Sequence, residues 1–247
     1  MPDLDQTLKR LAVTFNARDI MTPAETLTCA LDEVDARGKL GDHPNFDRIP
    51  IWNGNELTGY LERGTDGVKL ITTSDLVSDG TSVIELVDIL QERSFCFVLR
   101  ERRISGYIHF SDLNNSLVKL SFYIMLETLE RHLTSEIASR VDEENLEEVL
   151  DKKRARELIG YLKKQRVNHA DFNLFSVFQF RDVLQCACRS KVLRMSDEDL
   201  ALLADIRNLT AHASRPFVER HDDVKRLSRA KELCTEVLRI GSFASQS

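Results

Sequence analysis

The sequence predicts an α+β protein, with a module of strands and short helices over residues 1–118 and an all-α bundle over residues 119–247. The first observation behind this prediction is an internal repeat. Residues 49–52 and 57–61 match residues 96–99 and 104–108 at an offset of 47 without a gap. The second observation is a change in composition and periodicity. Beyond residue 120, glycine nearly vanishes and apolar residues recur at spacings of three and four.

Each copy of the repeat has the pattern of a β-hairpin. An apolar strand is followed by a polar turn, at residues 53–55 and 100–103, and by a second strand that contains a glycine, Gly59 or Gly106. The two repeats cover about residues 15–66 and 67–118, and they are expected to lie side by side.

Five helices are expected in the second half. Residues 120–137 carry one apolar stripe, and a second helix follows over residues 142–162, with acidic residues first and basic residues last. A third helix is predicted over residues 175–191. Ser196 is the predicted N-cap of a fourth, which Pro216 limits, and a fifth covers residues 222–239. The junction near Asn115 has almost no linker, which favours mechanical coupling between the halves.

Composition excludes several classes of protein. A chain of 247 residues that is 42% hydrophobic can bury a core, and a net charge of −6 argues against coating nucleic acid by bulk electrostatics. No apolar run is long enough to cross a bilayer, and residues 1–19 lack the apolar centre of a signal peptide, so a cytoplasmic location is expected. The five cysteines include no Cys-x-x-Cys, and no His-Glu-x-x-His pattern occurs. No metal site and no required cofactor are therefore predicted.

The second copy alone continues into His109, Phe110, Ser111 and Asp112. A carboxylate at the end of a short strand can accept hydrogen bonds from both vicinal hydroxyls of a ribose, each contributing about 1.5–3 kcal/mol. Ser111 can bind an adjacent phosphate, and Gly106 lets the backbone approach a ligand closely. The first copy has no aspartate at the matching place, so one competent site is expected. The alternative is that Asp112 simply caps the helix that begins at Leu113.

These motifs resemble a tandem pair of CBS (cystathionine β-synthase type) domains over roughly residues 15–118. The resemblance rests on residues 18–23, the twin hairpins, residues 81–86 and residues 106–113. It implies two β-α-β-β-α repeats that form a pseudo-symmetric disc and bind an adenosine-containing ligand: AMP, ADP, ATP or S-adenosylmethionine. The family's glycine and aspartate match Gly106 and Asp112, whereas His109 replaces a hydroxyl residue. The implied ligand-binding residues are Gly106, Tyr107, Ile108, Ser111 and Asp112.

The predicted fourth helix carries a second set of chemical groups. Asn208 and His212 are four apart and are expected to share a face, with Arg207 beside them. A histidine can take a proton from a ribose 2′-hydroxyl, an arginine can bind the phosphate, and Asn208 can hold the imidazole, so the set suits metal-independent cleavage of RNA. The structural alternative is an ion pair of Arg207 with Asp205 or Glu198 and a histidine at a helix end.

The motif formed by Arg207, Asn208 and His212 resembles that of the HEPN family (higher eukaryotes and prokaryotes nucleotide-binding) over roughly residues 121–240. The resemblance implies a helical bundle, usually dimeric, that in many members is a metal-independent RNase of toxin and defence systems. Two functions are therefore expected from the whole chain. The first is an endoribonuclease catalysed by Arg207, Asn208 and His212 and gated by an adenosyl ligand. The alternative is a non-catalytic nucleotide sensor, in a homodimer, that signals to a partner protein.

Overall fold

The computed structural model describes residues 14–54, 56–168, 173–212 and 214–244. These residues form two compact units. Of the described residues, the α/β unit contains residues 14–118 together with Val218–Val224, and the helical unit contains those of Lys119–Phe217 and residues 225–244. The division falls at residue 118, but a segment from far along the chain also belongs to the α/β unit.

The α/β unit is built from seven short strands and three helices within the described residues. Its elements are α1 (Ala17–Ile20), β1 (Thr22–Pro23), α2 (Glu33–Asp42), β2 (Arg48–Asn53), β3 (Glu56–Glu62), β4 (Lys69–Leu70), β5 (Leu76–Ser78), α3 (Val83–Glu92), β6 (Phe95–Arg100) and β7 (Arg103–His109). Short 3-10 turns at Ala24–Thr26, Thr73–Asp75 and Phe110–Asn114 connect them. The strands β2 and β3, and likewise β6 and β7, pair antiparallel, which confirms the two predicted hairpins.

The sheets follow the order β1-β7-β6-β5 and β2-β3-β4. Each hairpin receives a short strand from the other repeat, since Thr22 pairs with Tyr107 and Lys69 pairs with Tyr60. The repeat offset relates these pairs, because 69 − 22 = 47 and 107 − 60 = 47. The parallel pairs Ala30–Ile51 and Val77–Val98 are related by the same offset. The two repeats therefore exchange strands with an internal two-fold relationship.

Glycine makes this exchange possible at two equivalent positions. A Cβ atom at Gly106 would lie 2.8 Å from the carbonyl oxygen of Thr22 and 2.5 Å from the sulfur of Met21. A Cβ atom at Gly59 would lie 2.8 Å from the carbonyl oxygen of Lys69. Any larger residue at either position would push the incoming strand away.

The core of the unit lies between its helices and sheets. In α3, Ser82 accepts a hydrogen bond from the Glu85 N–H at 3.1 Å, and Glu85 accepts one from the Ser82 N–H at 3.1 Å, so a capping box starts the helix. Its buried residues recur at helical spacing: Val83, Leu86, Val87 and Leu90. A separate aromatic cluster joins the two hairpins and contains Tyr60, Phe95, Phe97 and Tyr107.

The described part of the helical unit contains five long helices and one helix of a single turn. They are α4 (Ser116–Ile137), α5 (Leu146–Val149), α6 (Lys152–Asn168), α7 (Phe180–Arg189), α8 (Asp197–Ala211) and α9 (His221–Ala244). The first predicted helix is confirmed by α4, and the fourth by α8, where the Ser196 side chain accepts a hydrogen bond from the Asp199 N–H at 3.1 Å. The fifth is confirmed by α9. The helix content of this unit is as expected, and the HEPN-like identity stays a prediction.

Two predicted helices are interrupted. The helix expected over residues 142–162 breaks into α5 and α6 at Leu150, which is extended, and Asp151 then accepts a hydrogen bond from the Lys153 N–H at 2.9 Å. The helix expected over residues 175–191 begins instead as a 3-10 turn, Leu174–Val177, and α7 starts only at Phe180. In both places a side-chain oxygen satisfies the N–H groups of a new helix start, which a search for apolar periodicity does not detect.

Within the described residues, no helix combines the length and the apolar character that crossing a membrane requires.

Candidate ligand-binding site

A cavity of about 490 Å³ opens in the α/β unit beside the end of β7. Both repeats line it, with residues 22, 26–28, 45–48 and 50 from the first and Tyr107, His109, Ser111 and Asp112 from the second. Its charged lining residues are Asp47, Arg48 and Asp112. The exchange of strands brings these parts together, because β1 of the first repeat pairs with β7 of the second.

Asp112 sits in the 3-10 turn Phe110–Asn114 that follows β7. Its Oδ2 accepts a hydrogen bond from the His109 N–H at 2.8 Å, which fixes the carboxylate at the cavity wall. Burial raises the pKa of this carboxyl above its ordinary value, although the bond from His109 opposes the shift. Asp112 therefore caps the turn, which agrees with the capping interpretation, and it also lines the cavity. Ribose binding by Asp112 stays a prediction.

The neighbouring Ser111 is engaged with His109. Its Oγ lies 2.9 Å from Nδ1 of His109, and its N–H donates to the same nitrogen at 3.4 Å. Burial lowers the pKa of His109, which favours the neutral imidazole. The phosphate-binding role that the sequence suggested for Ser111 would require its hydroxyl to turn away from this histidine.

Arg48, at the start of β2, was missed by the sequence analysis. Its Nη2 donates to Oε1 of Glu62, whose Oε2 accepts from Lys69, and its guanidinium lies 4.2 Å from the ring centre of Phe95. The side chain is only 12% exposed, and its Nε and Nη1, which have almost no accessible surface, make no hydrogen bond of good geometry to the described residues. The Tyr107 hydroxyl is close enough for Arg48 to oppose the rise of the Tyr107 pKa. Buried N–H groups in a native protein are usually paired, so two unpaired donors beside a cavity call for an acceptor.

The sequence did contain one indication that Arg48 is unusual. The repeat offset matches position 48 with position 95, where the second copy has Phe95. At this position the two copies of the repeat therefore differ, with a cation in the first and a buried aromatic residue in the second.

The five predicted ligand-binding residues do not all reach the cavity. Tyr107, Ser111 and Asp112 line it, and burial raises the pKa of Tyr107. Ile108 points into the core, where it is fully buried. Gly106 does not line this cavity, and Met21 and Thr22 fill the space that a Cβ atom at this position would occupy, so its role in ligand binding stays a prediction.

The three predicted catalytic residues are divided between a cavity and a loop in the helical unit. Arg207 and Asn208 line a cavity of about 540 Å³, which His212 does not line. The sequence predicted that His212 shares a helical face with Asn208, whereas α8 ends at Ala211 and His212 is the extended residue directly after it, with φ −110° and ψ 101°. The Thr210 hydroxyl bonds back to the Arg207 carbonyl at 2.7 Å, and the His212 N–H bonds to the Leu209 carbonyl at 3.3 Å, as the last turn of the helix tightens.

The guanidinium of Arg207 is held by other side chains. It lies 4.4 Å from the ring centre of Tyr123, and its Nε is 3.9 Å from a carboxylate oxygen of Glu130. Burial raises the pKa of Glu130, and the charge of Arg207 opposes that shift. The partner expected for Arg207 was Asp205 or Glu198, whereas Asp205 instead lies 3.6 Å from Arg226.

The loop that carries His212 is anchored by a buried lysine. Lys119 in α4 donates from Nζ to the carbonyl oxygen of Arg215 at 2.5 Å. The same Nζ lies 3.4 Å from the carbonyl oxygen of His212. Phe217 packs edge to face on Phe122, with ring centres 5.3 Å apart. In the described ranges, no group of three or more histidine, cysteine, aspartate or glutamate side chains is arranged to hold a metal ion.

Comparisons with known proteins give only a distant likeness. No protein-family model and no curated protein matches the sequence. A solved CBS domain of the bacterial CNNM/CorC family Mg²⁺ transporter, in complex with ATP, is 15% identical with a TM-score of 0.35, covering 47% of this chain and 95% of that one. Another structure of that CBS domain is 18% identical with a TM-score of 0.35, over 47% and 82% of the two chains.

Hypoxic Response Protein I with two coordinated zinc ions is 19% identical with a TM-score of 0.31, over 40% of this chain and 97% of that one. Likeness at these levels assigns neither a family nor a ligand to this chain, and the interpretation of the cavity depends on its own geometry.

Proposed function

We propose that the α/β unit is a tandem CBS-like module that senses one adenine nucleotide, bound in the cavity between Asp112 and Arg48. The candidate ligands are AMP, ADP, ATP and S-adenosylmethionine. The observation that carries the proposal is a buried guanidinium with two unpaired N–H donors in the same cavity lining as a fixed carboxylate. The strand exchange between two matching repeats supports the CBS-like assignment.

Asp112 is the group that would bind the ribose. One of its oxygens already accepts from the His109 N–H, but a carboxylate has about four acceptor positions, so two ribose hydroxyls can still donate to it. A carboxylate that is held in place loses little rotational freedom when the ligand binds.

Arg48 is the group that would bind an anionic part of the ligand, in place of Ser111. A guanidinium is suited to phosphate, because it offers parallel N–H donors in a fixed plane. Glu62 keeps Lys69 as its partner when Arg48 turns from the Phe95 ring toward the ligand, so the turn does not leave a carboxylate without a counter-charge. The threonine hydroxyls of Thr22 and Thr28 at the cavity wall can add donors, whereas the Thr26 hydroxyl already donates to the Pro23 carbonyl at 2.9 Å.

Isothermal titration calorimetry with adenosine, AMP, ATP and S-adenosylmethionine tests the proposal. We expect saturable binding of at least one phosphorylated nucleotide with a stoichiometry of one per chain. The proposal is wrong if none of the four binds, or if the binding heat is unchanged when Asp112 is replaced.

For the whole chain, we infer a non-catalytic sensor that acts as a homodimer and passes ligand state to a partner protein. The stacking of Arg207 on Tyr123 and its ion-pair distance of 3.9 Å to Glu130 support this inference, although its buried Nε has no hydrogen-bond partner among the described residues. The position of His212, outside the helix and outside the cavity that Arg207 lines, supports it as well. Light scattering measures the oligomeric state directly.

RNA cleavage gated by the nucleotide is the second candidate function. It is favoured by the exposure of Asn208 and His212 and by the place of Arg207 and Asn208 in one open cavity. Labelled RNA incubated with the protein and EDTA, with and without AMP, decides the matter. Cleavage by the wild type that disappears in His212→Ala would establish the enzyme and overturn the non-catalytic conclusion. Equal amounts of product from the wild type and His212→Ala would exclude His212-dependent cleavage.

A further inference from the structure

A short segment from the C-terminal part of the chain packs as part of the α/β unit. This docked segment, Val218–Val224, follows the last residue of the loop after α8 and contains the start of α9 at His221. Its two ends, Val218 and Val224, are buried. Because the segment is short and rich in polar residues, few contacts hold it in place. Each contact therefore contributes a large part of the stability of docking.

Asn114 binds the first residue of the docked segment on both sides of its backbone. Its Nδ2 donates to the Val218 carbonyl at 2.8 Å, and its Oδ1 accepts from the Val218 N–H at 3.0 Å, across 104 residues of sequence. Only an amide side chain offers a donor and an acceptor in this spacing. The pair of bonds reproduces what a neighbouring strand would provide.

His221 makes the second attachment. Its Nε2 lies 2.7 Å from the carbonyl oxygen of Leu90 in α3, and because a carbonyl only accepts, Nε2 carries the proton. The imidazole also packs edge to face on Phe110, with ring centres 5.5 Å apart.

The residues that hold the docked segment belong to the turn that lines the cavity. Phe110 and Asn114 are the two ends of the 3-10 turn Phe110–Asn114, and Ser111 and Asp112 lie between them. The Asn115 N–H donates to the Asp112 carbonyl at 3.0 Å, which ties the end of the turn to the residue at the cavity wall. Asp112 and Asn114 are thus two residues apart in one turn of five residues.

We propose that ligand occupancy of the cavity controls the docking of Val218–Val224, and through it the first turn of α9. This inference rests on the proposed nucleotide site. A ligand that binds the ordered turn stabilises the docked state, and by reciprocity the docked state raises the affinity for the ligand. The helix α9 continues from this segment to Arg226 and Arg229, which pair with Asp205 and Asp199 of α8 at 3.6 and 2.9 Å. The docked segment is thus the place where ligand state reaches the helix that binds α8.

Hydrogen–deuterium exchange of the full chain, read by mass spectrometry with and without saturating AMP, ATP or S-adenosylmethionine, tests the inference. We expect ligand to slow exchange in peptides that cover residues 105–115 and in peptides that cover residues 218–224, each by about fivefold or more. In Asn114→Ala, ligand should no longer protect residues 218–224. The ligand affinity should fall by the factor by which ligand protected these residues in the wild type.

Asn145→Ala is the matched control. Asn145, in the helical unit, also uses both ends of its side-chain amide, donating to the Arg140 carbonyl at 2.9 Å and accepting from the Asp142 N–H at 3.0 Å, but it binds two nearby residues and not a distant segment. It should leave the protection pattern unchanged. If Asn114→Ala does not fold, His221→Ala removes the bond to Leu90 and serves the same purpose.

The outcomes separate the two proposals. Protection of residues 105–115 with unchanged exchange at 218–224 would overturn the coupling and leave the nucleotide site in place. Protection of both regions that persists in Asn114→Ala and in His221→Ala would also overturn it. An absence of protection at 105–115 with every ligand would remove the site itself, and the coupling with it.

Discussion

Asp112 and Asp75 make the same hydrogen bond in two different 3-10 turns. In each, Oδ2 accepts from the backbone N–H three residues earlier, His109 or Thr72, at 2.8 Å. Only Asp112 lines the cavity. The chain thus contains an internal control that separates the capping role of an aspartate from its role in binding a ligand.

Replacing Asp112 with Asn should weaken nucleotide binding about tenfold or more, because a charge-assisted hydrogen bond becomes a neutral one. The amide oxygen keeps the shape of the cap. Calorimetric titration with AMP measures the change, and Asp75→Asn should bind as the wild type does. Equal losses in the two variants would mean that Asp112 acts only through the stability of its turn.

Arg48→Met should remove the preference for a phosphorylated ligand. Methionine keeps the apolar contact with Phe95 but supplies no donor, so the affinity for AMP should fall by about 1.5–3 kcal/mol while that for adenosine changes little. Competition titrations of AMP against adenosine measure the ratio. Arg37→Met, which removes an exposed cation paired with Glu33, is the control. An unchanged ratio in Arg48→Met would remove this residue from the site.

Gly106→Ala should destabilise the α/β unit by about 1–3 kcal/mol, because its Cβ would lie 2.8 Å from the Thr22 carbonyl oxygen. Gly38→Ala, within α2 and with no atom inside 4 Å of its Cβ, should instead stabilise the protein by about 0.5–1 kcal/mol. Urea denaturation measures both. Similar effects of the two changes would contradict the packing of β1 against β7.

Lys119→Met should destabilise the helical unit by about 1–3 kcal/mol, since the carbonyl groups of His212 and Arg215 lose a buried donor. Lys163→Met, on the exposed side of α6, is expected to change the free energy of unfolding by less than about 0.5 kcal/mol. Chemical denaturation measures both variants. If they unfold alike, the loop that carries His212 is held by other contacts.

The stability of the ligand-free protein should depend on pH through Asp112. Burial raises the pKa of this group above its ordinary value of 3.8, so the folded chain binds the proton more tightly than the unfolded chain does. The stabilising contribution is complete below pH 3.8 and is lost as the pH rises through the raised pKa. Urea denaturation of wild type and Asp112→Asn across this window should show the wild type losing stability relative to the variant as pH rises. An opposite slope would mean that hydrogen bonds to the carboxylate outweigh its burial.

The sequence by itself determined the features that depend on neighbours along the chain. The offset of 47 residues gave the two hairpins, and Ser196 gave the start of α8, because strand alternation and helix caps act over a few residues. The sequence also singled out Asp112, which lines the cavity, because it ends a motif that only one copy of the repeat contains.

Tertiary structure decided what fills the space beside Gly106, the engagement of Arg207 with Tyr123 and Glu130, and the docking of Val218–Val224 in the α/β unit. It also decided that Arg48, from the first repeat, lines the same cavity as Asp112 from the second. Each of these contacts joins residues far apart in sequence. Such contacts depend on the shapes and unpaired groups that remain once the local elements have formed, and no short-range pattern of residue types encodes them.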